Sequence, residues 1–304
     1  MRWSVIVCTF NRAHSLAETL ERLGRLAYPV DEHEILVVDN GSTDGTAAVI
    51  GAAAAGMRNL VPLREATPGL SHARNRGIAA ARGQFVAFID DDAWPEPDWL
   101  TALERGFLPE DVMCVGGRVT AVWPDNAPPA WLPERLAGFY SLVDYGARQT
   151  LHYPDYPAGT NIAFRKSVLN EMAGFSEKLG RVGACLLSME ETDICLRIEA
   201  AGYRVSYRDD ALVRHVIQPD RLTREWLGER ARWQGVSAAV IEAGRFSRWA
   251  ILRKVCRYSV FIAAGSAGRM IFTVLGKQRP AYFCACQNTL CRAYIRQIFT
   301  RGRG

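Results

Sequence analysis

LSHARNRGIAAARGQFVAFIDDD, residues 70–92, joins a helical pattern to the strongest strand signal in the chain and ends on three carboxylates. SHARNRGIAAARG (71–83) reads as a helix, and QFVAFID (84–90) as a strand. The same alternation runs back to the N-terminus. SVIVCTF (4–10) reads as a buried strand, followed by a helix with Leu16, Leu20 and Leu23 at helical spacing. EILVVD (34–39) is the second strand; GSTDGT then turns into an Ala-rich helix whose N-terminus Thr43 or Asp44 would cap. NLVPLR (59–64) is a weaker third strand. Short apolar runs alternating with helices predict a doubly wound, mostly parallel α/β sheet flanked by helices.

Right-handed crossovers place the C-terminal ends of parallel strands on one edge, where open α/β folds bind ligands. The polar residues ending the runs should meet there: Thr9, Asn11 and Arg12 after the first strand, Asp39 after the second, and Asp90, Asp91 and Asp92 after the strongest. Adjacent carboxylates repel and need a cation to hold them in a folded site. Mn²⁺ or Mg²⁺ suits oxygen ligands of this kind and would neutralise a diphosphate leaving group. From Trp94 to Pro157 the texture turns Pro- and Trp-rich (WPEPDW, WPDNAPPAWLP), which predicts irregular loops lining a cleft, with aromatic faces for sugars to stack on. SMEETDICLRIEAAGYRVSY then reads as a helix and a short strand leading to His215.

The chain has 304 residues, 49% hydrophobic, enough to bury a full core, so intrinsic disorder is a poor fit. Its net charge of +5 hides an asymmetry. Residues 1–220 carry 21 Lys+Arg against 29 Asp+Glu, net −8, and residues 221–304 carry 16 against 3, net +13. A basic tail on an acidic body implies an anionic partner, phospholipid headgroups or nucleic acid. The eight cysteines are scattered. Cys8, Cys114, Cys185 and Cys195 sit in apolar runs that read as buried core. Cys284, Cys286 and Cys291 lack paired CxxC spacing and read as helix-packing residues, so a reducing compartment is expected. The apolar run Trp3 to Phe10 is too short for a signal peptide, which predicts a cytoplasmic location.

TFNR (9–12), VVDNGSTDGT (37–46), residues 70–92, GTNIAFRK (159–166) and SMEETDICLRIEAAGY (188–203) together resemble the family 2 glycosyltransferases of GT-A fold, over residues 3 to 215. The resemblance implies an inverting glycosyltransferase using a nucleotide-sugar donor. It implies that Thr9, Asn11 and Arg12 line the nucleotide site, that Asp39 accepts from the base with Arg74 packed near it, and that Asp90 holds the ribose and Asp92 the metal. A carboxylate at Asp39 can only accept, which suits the N3–H of uracil and points to a UDP-sugar. The base that takes the acceptor's hydroxyl proton maps to Glu191 in Glu190-Glu191-Thr192-Asp193, with Glu190 the other candidate. Asp193 reads as a carboxylate in the first turn of the following helix. Related enzymes place a histidine near the metal or the diphosphate, which points to His215. GERARWQG (228–235) resembles the QxxRW element of polysaccharide synthases, so that Arg230 or Arg232 would neutralise the diphosphate and Trp233 stack on the acceptor. LGRVGACLLSMEE and VRHVIQPDRLT resemble transferases of bacterial surface or exopolysaccharide assembly.

Tyr258 to Gly268 is free of charge but bracketed by Arg257 and Arg269, too short to span a bilayer. An interfacial helix is expected instead, with Val260, Phe261, Ile271, Phe272 and Leu275 in the lipid. Tyr282, Phe283, Tyr294, Ile298 and Phe299, interleaved with Arg279, Arg292, Arg296, Arg301 and Arg303, continue it. The organisation expected is a nucleotide-sugar half (1–98), an acceptor and catalytic-base half (99–220) and a basic helical region (221–304). Residues 245–304 of that region would meet an anionic membrane on its cytoplasmic face, near a glycan or lipid-linked acceptor and without nucleic acid. A sugar nucleotidyltransferase would need a Gly-rich loop with a basic residue after the first strand, where TFNR stands instead. A non-enzymatic nucleotide- or nucleic-acid-binding protein would need no carboxylate base. GxGxxG and P-loop patterns are absent, which disfavours dinucleotide oxidoreduction and ATP hydrolysis.

Overall fold

The computed structural model describes residues 1–183 and 185–301, and the chain divides into two compact units. The first is built on one sheet of nine strands. Strands β1 (Trp3–Thr9), β2 (His33–Asp39), β3 (Leu60–Arg64) and β4 (Phe85–Asp90) run parallel in the order β3-β2-β1-β4. Helices α1 (Ala13–Leu23), α2 (Thr46–Gly56) and α3 (Leu70–Ala80) connect them, as the alternation predicts. Successive side chains along each strand point to opposite faces. Trp3, Val5, Val7, Ile35, Val37, Phe85, Ala87 and Ile89 thus pack on one face with the leucines of α1, and Ile6, Leu36, Val38, Val86 and Phe88 on the other. The close seat of α3 on β1 requires Gly77, where a Cβ would stand 2.7 Å from Ile6 Cγ2. Neither Thr43 nor Asp44 is the residue that caps α2; that position is Gly45. Asp44 ties the turn from one residue earlier, accepting from the Thr46 and Ala13 amides at 3.0 and 3.3 Å.

Beyond β4 the sheet becomes mixed. Strand β8 (Ile162–Arg165) runs antiparallel to β4, β6 (Val112–Val122) antiparallel to β8, and β9 (Arg204–Val216) parallel to β6. Strands β5 (Ala93–Pro95) and β7 (Thr150–Leu151) pair antiparallel with β9. The stretch read as irregular from Trp94 to Pro157 therefore holds β5, helix α4 (Trp99–Gly106) and the eleven-residue β6. Residues 123–133, 141–149 and 152–157 are irregular as expected, whereas Trp99, Leu100 and Leu103 form a buried helical face. Helices α5 (Lys166–Glu171) and α6 (Glu190–Ala200) complete this unit, with Ile194 and Ile198 of α6 in the second core.

The second unit comprises Trp123–Tyr140, the short link before α6 and the chain from Ile217. Its body is α7 (Arg224–Ala243), α8 (Arg248–Val274) and α9 (Gln278–Arg301). Thr223 and Ser247 cap α7 and α8, their hydroxyl oxygens accepting from Trp226 N and Ala250 N. No helix among the described residues is long and apolar enough to cross a membrane. Tyr294, expected at a lipid surface, is instead buried, donating its hydroxyl to Glu242 at 2.8 Å and packing edge-on against Tyr258. Phe272 is half-buried as well. Helix packing claims these rings because α9 lies along both other helices. The Arg301 side chain and Arg303 fall outside the described residues. Cys286 and Cys291 pack within the unit as expected. In the first unit Cys114 and Cys195 are buried with thiols 3.9 Å apart, but Cys8 is only half-buried; Cys185, in the link, is half-buried too.

Candidate active site

The loops after β1 and β2 are knitted together at the strand ends. Asn11, at φ +53°, accepts from Thr43 N at 2.8 Å, and its own amide donates to Ser42 Oγ at 2.9 Å. Asp39 Oδ1 accepts from Ser42 N at 2.9 Å. Thr9, expected to line the nucleotide site, is buried, and its hydroxyl donates to Asp91 Oδ2 at 2.6 Å.

The three consecutive carboxylates do not act together. Asp90 and Asp92 point one way, while Asp91 turns to Thr9 and its carbonyl accepts from Thr19 Oγ1 at 3.0 Å. Asp91 is thereby spent within the protein instead of being offered to a donor. Burial, and Asp92 beside it, push its carboxyl up to about 7.

The third member of the group comes from the far end of the sheet. Antiparallel pairing of β5 with β9 sets Ala93 opposite His215, and Val216 N donates to Asp92 O at 2.8 Å. His215 Nε2 consequently lies 3.2 Å from Asp92 Oδ1. Ligand atoms of Asp90, Asp92 and His215 all fall within 4.8 Å of one another, and Asp92 and His215 are each only 2% exposed. Two carboxylates and one imidazole form a donor set that fits a divalent cation of the Mn²⁺ or Mg²⁺ class. Arg12 Nη1, 3.4 Å from Asp92 Oδ2, is the guanidinium next to this cluster. Asp90, expected at the ribose, also lies within ligand distance of Asp92 and His215.

A second cluster adjoins the first. Arg74 is buried, with Nη1 2.8 Å from Glu190 Oε1 and Nη2 3.5 Å from Glu191 Oε1, and its guanidinium stacks over Phe88 and Phe175. It was expected beside Asp39; its contacts are to the acids that open α6, because α3 and α6 pack on the same face of the sheet. Glu190 is 2% exposed, and burial together with Glu191 pushes its carboxyl up to about 7 against the pull of Arg74. The Glu191 side chain keeps 18% exposure. Met189, at φ +77°, turns the chain into α6, a costly backbone conformation of the kind that gathers at functional sites. Asp193 stands in the first turn of α6, as its reading predicts, and accepts from Arg197 Nε at 3.0 Å.

Two residues that the sequence reading passed over join the clusters. The β4–β8 register, with Phe88 opposite Ile162, continues to set Thr160 against Asp90, and Thr160 Oγ1 donates to Asp90 Oδ2. At Gly159 an added Cβ would stand 2.1 Å from Glu191 Oε1 and 2.4 Å from Arg74 Nη2. Asn161 fixes this turn, accepting from Trp99 Nε1 at 2.8 Å and donating to Ala211 O at 2.7 Å. GTNIAFRK (159–166) is one of the motifs that carry the family resemblance, but the sequence gives no separate role to Gly159 or Thr160 within it.

Arg230, Arg232 and Trp233 lie on α7 in the second unit. Arg230 Nη1 donates to Ser188 Oγ at 3.1 Å, and Arg232 pairs with Glu229 at 2.6 Å while lying over the Trp233 ring. The charge of Arg232 is thus already answered within its own helix.

Comparison with known proteins agrees with this fold. The family model described as Glycosyl transferase family 2 matches residues 4–172. The chain is 30% identical over 246 residues to the glucosyl-dolichyl phosphate glucuronosyltransferase of Haloferax volcanii, covering 80% of this chain and 78% of that one. Among solved structures, the mannosyltransferase PcManGT of Pyrobaculum calidifontis, in complex with GDP-Man and Mn²⁺, superposes with a TM-score of 0.68 at 22% identity, covering 99% of this chain and 88% of the other. TarS 1–349 of S. aureus, in complex with UDP-GlcNAc, superposes at 0.52 and 18% identity, covering 100% and 92%. The fold is that of the GT-A glycosyltransferases. With the family model running from the first strand through the carboxylates to β8 and α5, this chain is a glycosyltransferase and belongs to glycosyl transferase family 2.

Proposed function

We propose that the chain is an inverting, metal-dependent transferase that moves a sugar from a UDP-sugar to a glycan or lipid-linked acceptor. The observation that carries this reading is the Gly159-Thr160 pair. Thr160 holds Asp90 of the metal group, while the bare Cα of Gly159 admits the carboxylate of Glu191 and the guanidinium of Arg74. Consecutive residues thus set a leaving-group site and a base side by side.

Asp39 would accept from the uracil N3–H, and Asn11 and Arg12 would border the nucleotide. A divalent cation held by Asp90, Asp92 and His215, Mn²⁺ or Mg²⁺, would neutralise the departing diphosphate. Glu191 would take the acceptor's hydroxyl proton as that oxygen attacks the anomeric carbon from the side opposite the diphosphate, which inverts the configuration. Glu191 suits this better than Glu190, since a base must reach a substrate and Glu190 is closed off against Arg74. Residues 1–98 would form the nucleotide-sugar half and 99–220 the acceptor half. A lipid-linked acceptor fits the relative named for a dolichyl phosphate substrate. It also fits attachment of residues 245–304 to the anionic cytoplasmic face of a membrane, in polysaccharide or glycoconjugate assembly. Purified protein incubated with a panel of nucleotide sugars and Mn²⁺ tests the donor. UDP release from one UDP-sugar, abolished by chelation, is expected; release from GDP-sugars alone would overturn the reading of Asp39.

A further inference from the structure

Helix α8 carries a row of exposed apolar residues along its whole length. Trp249, Leu252, Val260, Met270, Ile271 and Val274 recur at three- and four-residue spacing, joined by the exposed small residues Cys256, Ala263 and Ala267. Val274 is 82% exposed and Trp249 72%, whereas the opposite side of the helix packs on α9 through Tyr258, edge-on against Tyr294. A stripe of this kind along about 40 Å of helix is far more than scattered surface hydrophobics produce. About a quarter turn round the helix from the stripe, Arg269 of α8 and Arg292 of α9 line a hollow of about 520 Å³ with Ser266, Asn288 and Thr289. Asn288 is buried and donates to Ser266 Oγ at 3.1 Å, its Oδ1 closed in against the bare Cα of Gly265.

Charge decides what covers the stripe. Residues 243–304 hold 12 Lys+Arg and no Asp or Glu. A second copy laid along the stripe would set these bases against their own likeness with no acid to answer them. An anionic bilayer supplies both the apolar layer and the opposite charge. An interfacial helix sinks its apolar face to the boundary of headgroups and acyl chains, so groups on its flank stand at the level of the phosphates. We propose that α8 lies flat on an anionic membrane and that the hollow between α8 and α9 seats one phospholipid headgroup. In this seat the phosphate lies between Arg269 and Arg292. The seat rests on the membrane clause of the proposed function and not on its chemistry.

The test is flotation of the full chain with vesicles of phosphatidylcholine alone or with phosphatidylglycerol added. Wild type is expected to float only with the anionic vesicles, and V260D/I271D, two exposed positions, to lose at least about tenfold in affinity. General attraction alone removes about fivefold per basic residue lost. R253Q/R257Q, exposed and away from the hollow, should therefore fall about 25-fold and R269Q/R292Q at least about tenfold further. Equal losses in the two arginine pairs would overturn the headgroup seat. Unchanged flotation of V260D/I271D, or concentration-dependent dimers without vesicle binding, would overturn the membrane face. UDP-sugar hydrolysis retained by every variant shows that the fold is intact. If wild type itself hydrolyses no donor, the reaction fails while the flotation result stands.

Discussion

Replacing Gly159 with alanine tests the proposed base through a residue that carries no chemistry of its own. The new Cβ would stand 2.1 Å from Glu191 Oε1 and 2.4 Å from Arg74 Nη2. Arg74 has little room to yield, buried between Phe88 and Phe175 and bonded to Glu190 at 2.8 Å. Glu191 is partly exposed, so its carboxylate gives way, by about 1.3 Å to regain an ordinary contact near 3.4 Å. A misplacement of about 1 Å in a reacting group costs on the order of 100-fold, about 2.7 kcal/mol of barrier. The crowding itself costs about 1–3 kcal/mol of stability. UDP release under saturating UDP-sugar with Mn²⁺ should therefore fall about 100-fold in kcat. Calorimetric binding of UDP should not change, since Asp39 and Asp90 keep their places. A G159A enzyme that is folded and within threefold of wild-type kcat would refute the claim that Glu191 is held where it acts.

Glu190 makes a prediction about pH. Its folded carboxyl is pushed up to about 7 from an ordinary value near 4.5, so the folded state binds the proton more tightly than the unfolded chain. Stability should then fall as pH rises through that window, by on the order of 3 kcal/mol at most, and E190Q should flatten the fall. Urea titrations from pH 4.5 to 7 read it, and an identical slope in both proteins would count against it. Arg74→Met leaves two neighbouring carboxylates without their cation, one of them buried, and should cost about 3–5 kcal/mol by urea denaturation; a loss under 1 kcal/mol would contradict the pairing. In the metal group, H215A should weaken Mn²⁺ binding by about 10- to 100-fold in an electron-spin titration, while D91N should leave it within a few-fold because its carboxylate faces Thr9. Equal effects of the two substitutions would dissolve the assignment.

The four parallel strands were legible because strands buried on both faces read as unbroken apolar runs, and their polar ends announce the ligand edge. The division inside Asp90-Asp91-Asp92 is set by the turn from β4 into β5 and by Thr9 and Thr19, which hold Asp91, whereas a run of like charges reads first as a unit. What could not be read was pairing at long range. His215 reaches Asp92 only through the β5–β9 register, and Arg74 meets Glu190 across 116 residues. The stretch after Trp94 misled in part: proline density does mark the loops at 123–133 and 152–157, but Pro95 and Pro97 only punctuate β5 and α4. On α8 the expected lipid-facing set held Val260 and Ile271, but not Trp249, Leu252, Met270 and Val274. Which side of an amphipathic helix stays bare depends on its neighbour, and α9 takes the side bearing Phe272 and Tyr258.

The central claim is that Glu191 acts on the acceptor while the nucleotide and metal are held by other residues. The most direct measurement compares E191Q with wild type in sugar transfer and in Mn²⁺-dependent UDP binding on the same preparation. The account predicts UDP affinity within twofold of wild type and turnover lower by about 100-fold or more, the ordinary contribution of a general base. Full turnover in E191Q, or loss of UDP binding together with activity, would contradict it.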